Sequence, residues 1–163
     1  MSLLDWCQWL EHTSLATAIS ESDWLFPMIE GTHVLTLPLS VGMILMFDLR
    51  LLGIAFGTGV AAKMLGDVLR WSKFGFPIMF FTGGILFMTQ ASKAYENVFF
   101  RTKMLLLLIL GVNAAVYQLV LYPRMAQWDE RGGTPLGARM CGAVSLVGWI
   151  GVIICGRTMA YQF

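Results

Sequence analysis

The chain has 163 residues, 57% of them hydrophobic and only 13% charged, where soluble domains carry about 25% charged residues. With a net charge of +1 and a mean hydropathy of +0.69, nothing in the balance suits nucleic acid or an acidic partner. The composition is that of a single domain embedded in a lipid bilayer.

The opening MSLLDWCQWLEHT places Asp5 and Glu11 where a secretory signal has its basic region, so no cleaved signal is expected. Leu3, Leu4, Trp6, Trp9 and Leu10 share an apolar side with charges between them. Residues 1–26 are therefore predicted to form an amphipathic segment lying in the membrane interface.

A membrane-crossing helix needs about 20 mainly apolar residues, and the sequence predicts such spans at residues 28–49, 74–92, 103–122 and 139–158. Between the first two, GTGVAAKMLGDVLRWSK at 57–73 reads as a surface helix, with Pro77 in the first turn of the span that follows. The third span should stop at Pro123, and WDERGGTP at 128–135 reads as a solvent loop. Glycines inside the spans, and Gly53 with Gly57 as a GxxxG pair, allow close helix approach. The fold class expected is all-α, a four-span membrane bundle forming one domain over residues 1–163.

Arg50, Lys63, Arg70, Lys73, Arg124, Arg131 and Arg139 fall on one side of these spans, against Lys93, Arg101, Lys103 and Arg157 on the other. Positive charge marks the cytoplasmic side. Both termini are thus expected on the periplasmic face of a bacterial inner membrane. Trp6, Trp9 and Trp24 on one side, with Trp71 and Trp128 on the other, suit interfacial belts. Cys7, Cys141 and Cys155 lack metal-type spacing and read as packing residues.

Ionisable residues at membrane depth cost about 2.5–3.5 kcal/mol on insertion scales and count as candidate functional residues. His33 is the deepest, with Glu30 and Ser40 placed on its helix face and Pro38 opening the backbone nearby. The span topology brings Lys93, Asn97, Lys103, Arg157 and Tyr161 to the same end. Asp48 and Arg50 lie at the opposite boundary and read as markers of membrane depth. Asn113 and Gln118 read as hydrogen-bonding residues between helices, a contact worth about 0.6 kcal/mol.

Three readings of the His33 end compete. In the first, His33 is an axial ligand of a haem b held between helices, with Glu30 orienting the imidazole. Lys103 and Arg157 then pair the propionates, Asn97 and Tyr161 line the site, and His12 or Met88 is the second ligand. In the second, His33, Met88 and His12 hold copper, a metal suited to imidazole and thioether donors in a chain with eleven methionines. In the third, the polar residues form an ion network that locks helices or seats a partner, and a quinone headgroup or other small anion would fit the same cluster. No Ser/His/Asp arrangement, Walker loop, GxGxxG after a strand or HExxH is present. Hydrolytic or nucleotide-driven catalysis is not expected. The favoured reading is a haem- or metal-binding electron-transfer protein, with a non-catalytic accessory subunit as the alternative. The expected partners are the bilayer and either further copies of the chain or a larger membrane complex.

The stretches EGTHVLTLPLSVGMILMFDLRLLG, NVFFRTKMLLLLILGVNAAVYQ and GWIGVIICGRTMAY resemble a bacterial family of small four-span membrane proteins of unknown function over nearly the full length. The middle stretch is also similar to a short segment of copper-resistance D-type membrane proteins, a lysine followed by a leucine-rich helix and an asparagine. The resemblance implies weight for Glu30, His33, Asp48, Arg50, Asn97, Lys103, Asn113, Trp149, Arg157 and Tyr161. Relatives often carry histidine where this chain has Gln118, so a pair of histidine ligands from spans one and three is not implied here.

Overall fold

The computed structural model of the chain describes residues 2–56, 60–129 and 133–162. Among the described residues every regular element is helical. Two short helices, α1 (Leu3–Glu11) and α2 (Ser14–Ser20), lead into the bundle. A capping box starts α1: the Ser2 amide donates to Asp5 Oδ2 at 2.7 Å and the Asp5 amide donates to Ser2 Oγ at 3.1 Å. The Ser2 amide, then its hydroxyl, hold the Asp5 carboxyl below its ordinary pKa. A new N-cap at Thr13 starts α2. The expected interfacial segment 1–26 is therefore two helices, and its last residues already belong to the first span.

Four helical rods are long and apolar enough to cross a membrane: Leu25–Leu52, Lys63–Thr89, Val98–Arg124 and Leu136–Ala160. The first comprises α3 (Leu25–Leu37), a π turn at Pro38–Gly42 and α4 (Met43–Leu52). Proline lacks the amide that continues the ladder, and the chain absorbs the gap as one wider turn, which resumes as helix instead of opening. Gly53, at φ 75°, ends the rod in the left-handed conformation. That is its role, and Gly57 of the expected GxxxG pair lies outside the described residues.

The second rod is α5 (Ala61–Thr89), 29 residues without a break. Two expectations are corrected here. The described part of segment 57–73 is not a separate surface helix but the first turns of α5, and Pro77 sits in its interior instead of its first turn. Ala61, Leu65 and Val68 form an apolar stripe packed on Phe47, Leu51 and Tyr117, so the charged residues between them need only occupy the outer side. Neighbouring helices and small local adjustments of the helix satisfy the freed backbone groups and make an internal proline tolerable.

A short α6 (Ala91–Glu96) turns the chain into α7 (Val98–Val116), which ends in a second π turn, Tyr117–Leu121, and a tight turn through Pro123. Helix α8 (Met125–Asp129) follows, then α9 (Leu136–Ala160). The middle of the expected loop at 128–135 lies outside the described residues. Trp128, expected as an interfacial anchor, instead packs against the core with Phe47 and Leu51. Cys7 and Cys155 are buried and all three cysteines are free thiols.

Helix α3 packs on α5, α4 on both α5 and α9, and α7 on α9. Spans one and four are thus the central pair, with span two flanking the first and span three the last. Helices α1 and α2 lie over the Thr89 end of α5, where Ser92 donates to the Glu11 carboxylate. Close approach depends on glycine. A Cβ built on Gly75 would stand 2.8 Å from Ser40 Cβ, and one on Gly148 would stand 2.8 Å from Leu110 Cδ2. Gly75→Ala is expected to destabilise the bundle by about 1–3 kcal/mol, the range for overpacking. Gly84→Ala, at a position with nothing within 4 Å of the new methyl group, should be nearly neutral. Unfolding of the two variants in detergent, followed by circular dichroism, checks the contrast.

Candidate functional site

Two polar sites emerge, one at the end of the bundle that carries both chain termini and one about a turn in from the opposite end of span one. The first is built around His33. Its Nδ1 lies 2.9 Å from Thr82 Oγ1 on α5, and the Thr82 hydroxyl proton is committed to the Ile78 carbonyl at 2.7 Å. Thr82 Oγ1 is therefore the acceptor and His33 Nδ1–H the donor. This assigns the tautomer by donor counting and leaves Nε2 with a bare lone pair. Gly83 makes room for the ring, since a Cβ there would meet His33 Cε1 at 3.1 Å.

Lys103, half-buried on α7, lies within electrostatic range of the His33 ring. Its Nζ sits 3.7 Å from the Cβ position of Gly156 on α9. Arg157 and Tyr161 share a face as their spacing implies: the guanidinium donates to the phenol oxygen at 3.2 Å and stacks 5.4 Å from the ring centroid. Both are exposed at the end of the bundle. Asn97 is the N-cap of α7, its Oδ1 accepting from the Phe99 amide at 2.8 Å, and its Nδ2 donates to Gln162 Oε1 at 3.1 Å.

Glu30 is exposed and, among the described residues, has no hydrogen bond or ion pair. The partner that orients His33 is Thr82, not Glu30. Ser40 does share the His33 face, donating to the Thr36 carbonyl at 2.9 Å and touching Met79 Sδ at the same distance. His12 is exposed at the C-cap of α1, and Met88 is half-buried near the end of α5. Among the described residues, no three histidine, cysteine or carboxylate side chains form a metal-holding group. Thr82 escaped the sequence reading because a threonine in an apolar helix usually bonds only to its own backbone. Its place seven residues after Gly75 and next to Gly83, on the face that meets span one, was the available signal.

The second site centres on Asp48, which is 3% exposed. Asp48 and Arg50 are both buried, so neither is the surface depth marker expected of it. Arg50 Nη1 donates to Thr134 Oγ1 at 3.3 Å, tying the end of span one to the loop before α9. Asp48 faces a cavity of about 160 Å³ to which all four spans contribute, with Ser72, Asn113, Gln118, Cys141 and Ser145 among its lining residues. Asn113 bridges helices as expected, its Nδ2 donating to the Cys141 carbonyl at 3.0 Å.

A helical bundle with a histidine between two spans at one end and a buried carboxylate toward the other defines the class: a small multi-span membrane protein with polar side chains buried between its helices. The family model described as "Family of unknown function (DUF6644)" matches residues 12–162, and the chain belongs to that family. No curated protein and no solved structure matches it.

Replacing Thr82 with valine keeps the side-chain shape and removes the acceptor for Nδ1. The expected loss is about 0.6 kcal/mol and at most about 1.7 kcal/mol, the range measured for hydrogen bonds between membrane helices. Nitrogen NMR of ring-labelled protein should show a single Nδ1-protonated tautomer in the parent and a mixture in Thr82→Val.

Proposed function

We propose that the protein carries a b-type haem beside His33 and serves electron transfer in a bacterial inner membrane, with both termini on the periplasmic face. What supports this reading is the His33 Nδ1 to Thr82 Oγ1 contact at 2.9 Å with the Thr82 hydroxyl turned to the Ile78 carbonyl, an arrangement in which Nδ1 donates and Nε2 is an oriented, unprotonated nitrogen. A metal-binding imidazole needs that second-nitrogen anchor. Haem asks only for axial donors from the protein, whereas a bare metal ion asks for three or more, so the donor set favours haem over copper. When bound, the haem supplies one-electron chemistry, and the chain's own residues do the holding. His33 would supply the nitrogen ligand, Thr82 would fix the plane of its ring, and Lys103 and Arg157 would offer positive charge to the propionates.

The orientation rests on the excess of lysine and arginine at the Asp48 end. A haem near His33 would then stand in the outer leaflet, where a periplasmic redox partner or another membrane subunit could exchange electrons with it.

The test is the absorption spectrum of detergent-purified protein from haem-replete cells, as isolated and after dithionite. A Soret band with α and β bands that sharpen on reduction is the expected result. His33→Ala should be colourless while still folded, and Thr82→Val should bind haem about 10- to 100-fold more weakly, as removal of an outer-shell partner does. A colourless parent protein at full yield would overturn the haem reading and leave that of a non-catalytic accessory subunit, to be pursued through co-purifying chains.

A further inference from the structure

The cavity around Asp48 is separate from the His33 end and needs its own explanation. Asp48 sits on α4, almost wholly buried, and its Oδ2 has no hydrogen-bond partner. Ser72 Oγ on α5, lining the same cavity, also has none. Burying a polar atom without a partner is costly and burying an unpaired charge more so, and two such atoms facing one space point to something that belongs in it.

The surroundings specify what that is. The charged and titratable groups around the carboxyl are few. From α9 there is the Cys141 thiol, from the π turn after α7 the Tyr117 phenol, and from α5 none that lines the cavity. On its own helix Arg50 stands two residues on, with its guanidinium on Thr134. Among the described residues no lysine, arginine or histidine lines the space, so no fixed cation within it answers the carboxylate. The other polar groups are oxygen donors. The Ser145 hydroxyl stands beside the carboxyl, and Asn113 has spent its amide nitrogen on the Cys141 carbonyl, which leaves its oxygen as the free end. Oxygen donors around one negative charge suit a hard cation of low charge. The volume of about 160 Å³ would hold about five waters, enough to keep such an ion partly hydrated. The π turn at Tyr117–Leu121 contributes Tyr117 and Gln118 to the wall, and π turns recur at functional sites.

We propose that the Asp48 cavity is a reversible binding site for one small monocation, a proton or a sodium-sized alkali ion, held by the carboxylate and the oxygens of Ser72, Asn113 and Ser145. The positive charge neutralises the carboxylate at membrane depth, and its release leaves the carboxylate to the cavity water. This site is independent of any haem at His33, and either can exist without the other.

The experiment is infrared difference spectroscopy of the full chain in lipid nanodiscs, stepped from acid to alkaline pH in sodium chloride or in N-methylglucamine chloride. The carboxylic C=O stretch of Asp48 should be present at acid pH, vanish reversibly at alkaline pH, and be missing from Asp48→Asn. If sodium is the occupant, the midpoint should fall by about one pH unit for each tenfold rise in sodium once binding dominates. If the midpoint ignores sodium, the occupant is a proton alone. Both results support the site. A band that stays fixed in one form at every pH and in both salts would overturn it, because the carboxyl would then neither take up nor release a cation. Should Asp48→Asn fail to fold, Ser145→Ala assigns the band instead, since loss of the adjacent hydroxyl shifts its frequency without removing the carboxyl.

Discussion

In the hydrocarbon of a bilayer no water relieves an unpaired polar group, and the internal hydrogen-bond arrangement of this bundle follows from that constraint. Its buried and lipid-facing hydroxyls turn back on their own helices. Thr32, Thr36 and Ser40 donate to the carbonyls of Met28, Thr32 and Thr36 along one rod, and Thr102 and Thr158 do the same on theirs. Each such hydroxyl is satisfied without help from a neighbour, so it constrains nothing beyond its own turn. The polar groups that depart from this habit are the informative ones. His33 reaches across to Thr82, Asn113 reaches across to Cys141, and Asp48 and Ser72 look into a shared space.

The four apolar spans were legible because length and composition alone decide whether a helix can cross a bilayer, and that needs no partner. The Arg157–Tyr161 pair was legible for a similar reason, since residues four apart on a helix must meet. What failed were inferences about surroundings. The charges at Lys63, Arg70 and Lys73 suggested a helix lying on the membrane, but Leu65 and Val68 between them find Phe47 and Leu51. The apolar stripe is real, and only its partner, some fifteen residues back along the chain, shows that it is the start of a span. Pro77 looked like a boundary because proline commonly is one; within a membrane bundle that rule weakens.

The two sites differ in the same way. His33 drew notice because a lone histidine in an apolar run is conspicuous, yet the residue that gives it chemical direction, Thr82, is 49 positions away and inconspicuous. Asp48 beside Arg50 near the end of a hydrophobic run has the sequence appearance of an interfacial residue. Its burial is created by α5, α7 and α9 closing round it, and no local pattern in span one encodes that. The aromatic contacts Phe47 on Tyr117 at 5.6 Å and Phe76 on Trp149 at 5.8 Å join residues of different spans and are equally invisible to spacing arguments.

The π turn at Pro38–Gly42 links these observations. A π turn holds one more residue than an α turn, and at 3.6 residues per turn that extra residue rotates the rest of the helix by roughly 100° relative to an uninterrupted one. Before and within the turn, span one presents His33 and then Ser40 to α5; after it, α4 packs mainly on α9 and presents Asp48 to the cavity. One rod thereby serves two neighbours. The half that holds His33 is clamped to span two by Gly75 and Gly83, while the half that holds Asp48 is set against span four, where a Cβ on Gly142 would stand 3.3 Å from the Asp48 carbonyl oxygen. A straight α-helix with the same residues would turn Asp48 toward a different neighbour, so Pro38, which bears no functional group, determines which polar residues of this span share a site.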